Sequence, residues 1–166
     1  MLHKILSAGV LAALFTVTTP AHAGRLLSDP QDRAECVTQA ARTFGIPELP
    51  IWVILDVEGG TVGKVSWNSN KTYDIGPMQV NSIWLKHIAP YGISESQLRD
   101  NLCMNIYVGT WIFTKELQRH KTLPKALAYY HSPTPKHQHR YLGLIQKAIE
   151  SRVTRLKRER ATASNG

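Results

Sequence analysis

The spacing of apolar and polar positions along this chain predicts a mainly helical protein. Between 101 and 120, apolar side chains recur on one helical face, at Leu102, Ile106, Ile112, Phe113 and Leu117. Capping residues and glycine or proline breaks bound the other apolar segments. We predict helices over residues 30–44, 50–58, 82–89, 101–120, 123–130 and 138–158, and a short capped turn that opens at Ser94.

One region breaks this helical pattern. Residues 67–75 are rich in Asn, Ser, Lys and Tyr and carry no helical periodicity. They predict an irregular loop or a small β excursion. No internal repeat or linker divides the rest of the chain. We therefore expect a single, mainly α domain over residues 24–150, with one small irregular or β-containing region.

The amino-terminal residues have the pattern of an export signal. A short basic start is followed by an apolar stretch from Ile5 to Val17 and by a small-residue pattern that ends at Ala23. This is typical of a cleavable secretory signal peptide, which we assign to residues 1–23. The apolar stretch is shorter than the ~20 residues that a membrane-spanning helix needs, and no later segment is long enough. We therefore expect a periplasmic protein with no transmembrane segment in its mature part.

The chain has two cysteines, Cys36 and Cys103, and both lie in the mature part. In an exported protein an isolated pair favours a disulfide over a metal site. Two buried thiols that act as small apolar residues are the alternative. Export favours the disulfide.

The net charge of +8 is uneven, because much of it lies in the run from Arg152 to Arg160. We assign residues 151–166 as a basic carboxy-terminal tail. Such a run is typical of the solvated end of a helix, and it also favours weak attraction to an acidic envelope. No cofactor signature is present, and we expect no nucleic-acid partner. The histidines lack a carboxylate or cysteine at metal-ligand spacing, so we expect no metal site at His120, His131, His137 and His139.

Glu58 is the strongest candidate for chemistry. It follows the apolar run from Ile51 to Val57 and precedes Gly59 and Gly60, which predict the end of a helix. The negative end of the helix dipole and the apolar neighbours both disfavour the carboxylate anion. Both effects keep a proton on Glu58, as general-acid catalysis requires. Asp56 points to another face of the helix, and Asp74 is a candidate second carboxylate in the following loop.

Four short motifs in order resemble those of lytic transglycosylases, in particular the small periplasmic enzymes of conjugation, type IV secretion and type IV pilus systems. They are Glu58-Gly-Gly, Asp74-Ile-Gly-Pro-Met-Gln-Val-Asn81, Ala128-Tyr-Tyr-His-Ser132 and Arg140-Tyr-Leu142. The resemblance spans residues 36–145. It implies a lysozyme-like domain of the goose-type lysozyme and lytic transglycosylase class. It also implies cleavage of the MurNAc–GlcNAc bond of peptidoglycan without a cofactor.

The resemblance also assigns residues to roles. Glu58 matches the sole catalytic acid and base. Gln79, Asn81 and Asn70 match positions that line the sugar cleft, and Tyr130 matches a tyrosine that orients the acid by a hydrogen bond. The chain departs from the usual motifs at four positions. It has Gly59 where Ser is usual, Pro77 where Leu is usual, His131 where Asn is usual and Pro133 where Gly is usual.

Two other functions remain open at this level. One is a non-enzymatic periplasmic assembly factor that binds peptidoglycan strands or a secretion, conjugation or pilus component. The other is a plain muramidase that uses water instead of forming a 1,6-anhydro product. Structural roles also remain open for individual residues, with Gln79 and Asn81 as turn and cap residues and Tyr130 as a core aromatic.

Overall fold

The computed structural model describes residues 30–164, and the segment assigned as a signal peptide lies outside these residues. The described chain is mainly helical, as predicted. Its helices are α1 (Pro30–Phe44), α2 (Glu48–Glu58), α3 (Leu85–Ile88), α4 (Glu95–Asp100), α5 (Leu102–His120), α6 (Leu123–His131) and α7 (Pro135–Ala163).

The predicted helix boundaries are close to the observed ones, with several differences. Helix α2 begins at Glu48, two residues before its predicted start. The helix predicted over 82–89 is a 3₁₀ turn followed by the short α3, and a second 3₁₀ turn over Ala89–Tyr91 continues through Pro90. A proline fits there because the first turn of a helix leaves its N–H groups unbonded. The last helix begins three residues earlier and ends five residues later than predicted. The capping box at Ser94 is confirmed, since Ser94 and Gln97 bond each other's backbone N–H.

Helix α5 lies at the centre of the fold, where it packs against α1, α4 and α6. Its predicted apolar face is buried at Leu102, Ile106, Ile112 and Phe113. Helix α7 covers α2 and α6. Helix α2 is apolar nearly all round and is buried at Ile51, Val53, Ile54 and Leu55. The catalytic candidate therefore stands at the end of one of the most buried helices.

The polar segment after α2 forms a small antiparallel sheet, the β excursion that its composition predicts. The strands are β1 (Val65–Trp67), β2 (Tyr73–Ile75) and β3 (Val80–Asn81), in that order. Asp74 is paired with Ser66 on one side and with Asn81 on the other. This register places the polar side chains of the sheet beside the end of α2.

The predicted disulfide between Cys36 and Cys103 is present and joins α1 to the start of α5. The two cysteines are 67 residues apart, so the bond closes a loop that contains α2, the sheet and α4. A cross-link of this span restricts the unfolded chain strongly.

Removal of this bond is expected to lower the free energy of unfolding by about 4 kcal/mol, the chain-entropy value for a loop of this length. The measurement is denaturant unfolding of the oxidised protein and of a Cys36→Ala/Cys103→Ala variant. The control is the original protein unfolded in the presence of a reducing agent, and it is expected to match the variant. Equal unfolding midpoints for all three would contradict this expectation.

Residues 151–163 of the basic carboxy-terminal segment continue α7 as helix. Among residues 151–164, Arg152 is half-buried and the others are exposed. The Arg152 guanidinium donates to both carboxylate oxygens of Asp56, and the distance from Nη2 to Oδ1 is 2.7 Å. The same guanidinium lies over the Trp52 ring. Asp56 thus points away from Glu58, as its position in the helix predicts. Within residues 30–164, no helix combines the length and apolarity of a membrane span.

Candidate active site

A polar cleft of about 650 Å³ opens beside the end of α2. One wall comes from the sheet and the turn after it, and the other comes from α5, α6 and the start of α7. The cleft contains Glu58 and the four residues that the resemblance assigns to the sugar cleft or to the acid, which are Asn70, Gln79, Asn81 and Tyr130. Its lining includes Glu58, Asn68, Asn70, Asp74, Gln79, Asn81, Trp84, Glu116, Tyr129, Tyr130, His131 and His137.

Glu58 occupies the last position of α2. Gly59 follows with a left-handed φ of 60° and closes the helix by donating its N–H to the Leu55 carbonyl. The side chain of Glu58 is 12% exposed, so it faces the cleft through a narrow opening. A carboxyl group held in this way can exchange a proton with a bound molecule while it is largely shielded from bulk water.

Two tyrosines lie near Glu58, the half-buried Tyr130 and the fully buried Tyr141. Burial raises the pKa of Tyr130 well above its usual value, and the charges of Glu58 and Asp74 add to this effect. Burial, followed by the charge of Glu58, likewise raises the pKa of Tyr141. Both phenols therefore keep their protons at all physiological pH values and act only as neutral groups beside the acid.

The hydroxyls of these tyrosines make different contacts. Tyr130 donates its hydrogen bond to the Met78 carbonyl at 2.8 Å, not to Glu58 as the resemblance implies. The Tyr141 hydroxyl is buried without a well-formed hydrogen bond among the described residues, but it lies close enough to Glu58 for that carboxyl group to raise the pKa of Tyr141. Tyr130 thus holds the turn at Met78, whereas the Tyr141 phenol lies beside the acid.

The turn from Gly76 to Gln79 contributes the Gln79 side chain to the lining of the cleft. Gly76 and Gln79 both have left-handed backbones, with φ of 67° and 47°. Gln79 is not glycine, so this conformation costs about 1 kcal/mol or more and needs support from its surroundings. The support includes the Gln79 side chain, which donates to the Gly76 carbonyl at 2.9 Å.

Asn105 of α5 holds the same turn from beneath. It is fully buried, accepts a hydrogen bond from Met78 N–H at 2.8 Å, and donates to the carbonyls of Ile75 and Leu98 at 2.9 and 3.0 Å. One side chain thus bonds strand β2, the turn and helix α4. The sequence analysis missed Asn105, although a lone Asn within the apolar face of α5 is a detectable signal.

Gly60 brings the end of α2 into direct contact with this turn. A Cβ atom built on Gly60 would lie 2.0 Å from the Gly76 carbonyl oxygen and 2.5 Å from Nε2 of Gln79. Only glycine permits this approach, because the nearest obstacle is backbone. The second glycine of the Glu58-Gly-Gly motif therefore sets the distance between the acid and the cleft wall.

Gly60→Ala is expected to lower the free energy of unfolding by about 1–3 kcal/mol, the usual cost of overpacking. It is also expected to displace the Gly76 turn and so reduce the peptidoglycan cleavage that the sequence resemblance implies. Thermal unfolding measures the first effect, and cleavage of cell-wall sacculi measures the second. The matched control is Gly143→Ala, where a Cβ meets nothing within 4 Å. That control is expected to stabilise α7 by about 0.5–1 kcal/mol. Similar effects for both variants would show that the close approach is unimportant.

Polar side chains of the sheet form a connected network. Asp74 accepts from Asn81 at 2.7 Å through one oxygen and from Asn68 at 2.9 Å through the other. Asn81 also caps the next turn by accepting from Ile83 N–H. Asn70 accepts from the Thr72 N–H and hydroxyl and is exposed at the rim. Asn81 and Asn70 thus have structural roles as well as a place in the cleft.

The histidines of the described residues are not gathered into a metal-binding cluster. Within residues 30–164, no group of three or more His, Cys, Asp or Glu side chains has the geometry to hold a metal ion. His120 instead pairs with Glu116 at 3.2 Å and stacks on Tyr129. His131 stacks on Tyr141 and faces Glu58.

Comparison with known proteins identifies the family. Residues 35–141 match the family model described as the Transglycosylase SLT domain. The chain is 28% identical over 141 residues to invasion protein IagB of Salmonella typhi, covering 84% of this chain and 88% of that protein.

Two further relatives match shorter stretches. Invasion protein IagB of Salmonella typhimurium strain SL1344 is 30% identical over 110 residues, covering 66% of this chain and 69% of that protein. A peptidoglycan-binding-like protein of Escherichia coli O157:H7 is 34% identical over 92 residues, or 51% of this chain and 55% of that protein.

The family match covers most of the chain, including the end of α2, the sheet, the turn, α5 and α6. The mainly helical fold and the small sheet agree with the lysozyme-like architecture of this family. The chain therefore belongs to the SLT family of lytic transglycosylases.

Proposed function

We propose that this protein cleaves the MurNAc–GlcNAc β-1,4 bond of peptidoglycan and leaves a 1,6-anhydroMurNAc end. The main support is the position of Glu58, a mostly buried carboxyl group that faces a polar cleft from the end of an apolar helix. Family membership makes peptidoglycan the expected substrate. No cofactor enters the proposal.

In the first step Glu58 gives its proton to the glycosidic oxygen as the bond to the anomeric carbon breaks. The neighbouring N-acetyl group of the substrate stabilises the positive anomeric carbon, so a second protein carboxylate is unnecessary. Asp74 has both of its oxygens engaged by Asn81 and Asn68, which fits a structural role.

In the second step the Glu58 carboxylate takes the proton of the MurNAc 6-hydroxyl, and that oxygen bonds to the anomeric carbon. The proton returns to Glu58, and no water is consumed. Gln79, Asn81, Asn70 and Tyr130 are proposed to line the sugar subsites, and Trp84 and Tyr129 add aromatic faces within the same cleft.

The proposed location is the periplasm, where such an enzyme would open the wall locally for a conjugation, type IV secretion or pilus machine. This part rests on the predicted signal peptide and on the sequence resemblance. The relatives named invasion proteins are similar in sequence to this chain, and their name gives no substrate.

A second candidate is a factor that binds peptidoglycan without cleaving it. The Escherichia coli relative whose name describes peptidoglycan-binding-like behaviour favours this candidate. Incubation of the purified protein with isolated sacculi separates the two functions. An enzyme is expected to release soluble muropeptides in proportion to time. Co-sedimentation with sacculi that remain intact would contradict the enzymatic proposal.

A further inference from the structure

Glu116 of α5 is a carboxylate of the cleft that takes no part in the proposed proton transfers. Its side chain is 14% exposed, and its Oε2 atom lies 3.2 Å from Nε2 of His120 without a well-formed hydrogen bond. Oε1 has no hydrogen-bond donor among the described residues, and Lys115, the neighbouring cation on the helix, lies over the Trp111 ring. A mostly buried carboxylate without donors is costly, so we expect a group that enters the cleft to supply them.

His120 links this carboxylate to the ring of Tyr129. It follows Glu116 by one helical turn and stacks on Tyr129, with ring centroids 3.9 Å apart and planes 17° apart. Tyr129 is 37% exposed and lines the cleft together with Glu116. A carboxylate near an accessible aromatic ring suits an ammonium group, which is attracted by the negative charge and by the ring electrons.

The charges of the cleft also favour a cationic group. The chain has 20 Lys and Arg against 12 Asp and Glu. Within the described part of the chain, however, the cleft is lined by the carboxyl groups of Glu58, Asp74 and Glu116 and by no Lys or Arg. Asn68 and Asn81 donate to Asp74, and Glu58 is the proposed acid, so Glu116 is the carboxylate that remains for a cation.

We propose that Glu116 and Tyr129 bind the free side-chain ammonium group of the diamino acid in the peptide stem of peptidoglycan. This amine is the cationic group of an uncross-linked stem. A cross-link through the amine converts it into an amide and removes its charge, so such a stem loses the contact. This inference deepens the proposed function and rests on it, because it names the form of the same substrate, strands that carry peptide stems with free amines.

The test is a binding measurement on a ligand that the proposed reaction cannot cleave. The disaccharide GlcNAc–MurNAc with a peptide stem contains no MurNAc–GlcNAc bond, so calorimetry measures its affinity without turnover. The ligand is used with its amine free, with its amine acetylated, and without the peptide. We expect the original protein to bind the free-amine ligand about tenfold more tightly than the acetylated one, the combined effect of an ion pair and a cation–π contact. Added salt is expected to reduce this ratio, because it screens the charges.

Matched variants test the two side chains. Glu116→Gln keeps the shape and removes the charge, and Tyr129→Leu removes the ring, so each is expected to lower the ratio to about threefold. Tyr129→Phe keeps the ring and is expected to keep the tenfold ratio. The control is Glu150→Gln, an exposed Glu of α7 outside the cleft, which is also expected to keep it. Thermal unfolding checks that every variant is folded.

Three results would overturn the proposal. The first is a ratio near one in the original protein. The second is a tenfold ratio that persists in Glu116→Gln, because the amine would then be bound elsewhere. The third is an equal loss of affinity in Glu116→Gln for all three ligands, which would make Glu116 a ligand of the sugar. If the ratio depends on Glu116 while the protein cleaves no sacculi, the proposed function fails and the ammonium site stands. Cleavage of sacculi with a ratio near one gives the reverse.

Discussion

Replacement of Glu58 by Gln is expected to reduce peptidoglycan cleavage by about 10³-fold, within the range that a general acid contributes. Gln keeps the shape of the side chain but has no proton to donate to the glycosidic oxygen. It also cannot take the proton of the 6-hydroxyl in the second step. Initial rates of muropeptide release from sacculi measure the loss.

This variant needs two controls. The first is stability: Glu58 is a single cleft-facing side chain, so the thermal unfolding midpoint is expected to stay within the small range of a neutral substitution. The second is Asp56→Asn, a matched change two residues earlier on the same helix. Asp56 points away from the cleft and pairs with Arg152, so this variant is expected to keep full activity. Full activity of Glu58→Gln would exclude Glu58 as the acid.

A large effect on stability is expected for Asn105→Ala. This change leaves the N–H of Met78 and the carbonyls of Ile75 and Leu98 buried without their partner. Each such group costs about 1–3 kcal/mol, and partial relaxation makes a total loss of about 3–5 kcal/mol the expected result. Because the Gly76 turn loses its support from α5, activity is expected to fall well below what the fraction of folded protein would explain.

Denaturant unfolding and sacculus cleavage test this expectation together. The matched control is Asn101→Ala on the same helix, where the side chain makes a single capping bond to Met104 N–H. Loss of such a cap costs about 1 kcal/mol. Equal losses from the two variants would show that the three buried hydrogen bonds of Asn105 contribute no more than a single capping bond.

The positions of most helices follow from local physics. The apolar stripe of α5, the glycine break after Glu58 and the capping box at Ser94 are short-range signals, and each is found where the sequence places it. The catalytic candidate was detectable for the same reason. A single carboxylate at the end of an apolar helix is energetically unfavourable, and residues that are unfavourable for folding are often found at functional sites.

The supports of the cleft depend on contacts between distant residues, and these were not predictable in the same way. Asn105 acts on residues 27 and 30 positions away, and Tyr130 reaches Met78 across 52 positions. The resemblance implied a hydrogen bond from Tyr130 to the acid, whereas the Tyr130 hydroxyl donates to the Met78 carbonyl. The need for glycine at position 60 could not be predicted from the motif, because Gly60 approaches the backbone of Gly76 only in the folded chain.

The central claim is that Glu58 performs both proton transfers without water. The most direct measurement is mass spectrometry of the muropeptides that the protein releases from purified sacculi, with Glu58→Gln in parallel. We expect products lighter than reducing-end muropeptides by the mass of one water, and we expect these products to be absent with the variant. Reducing-end products would contradict this claim and identify a muramidase that uses water.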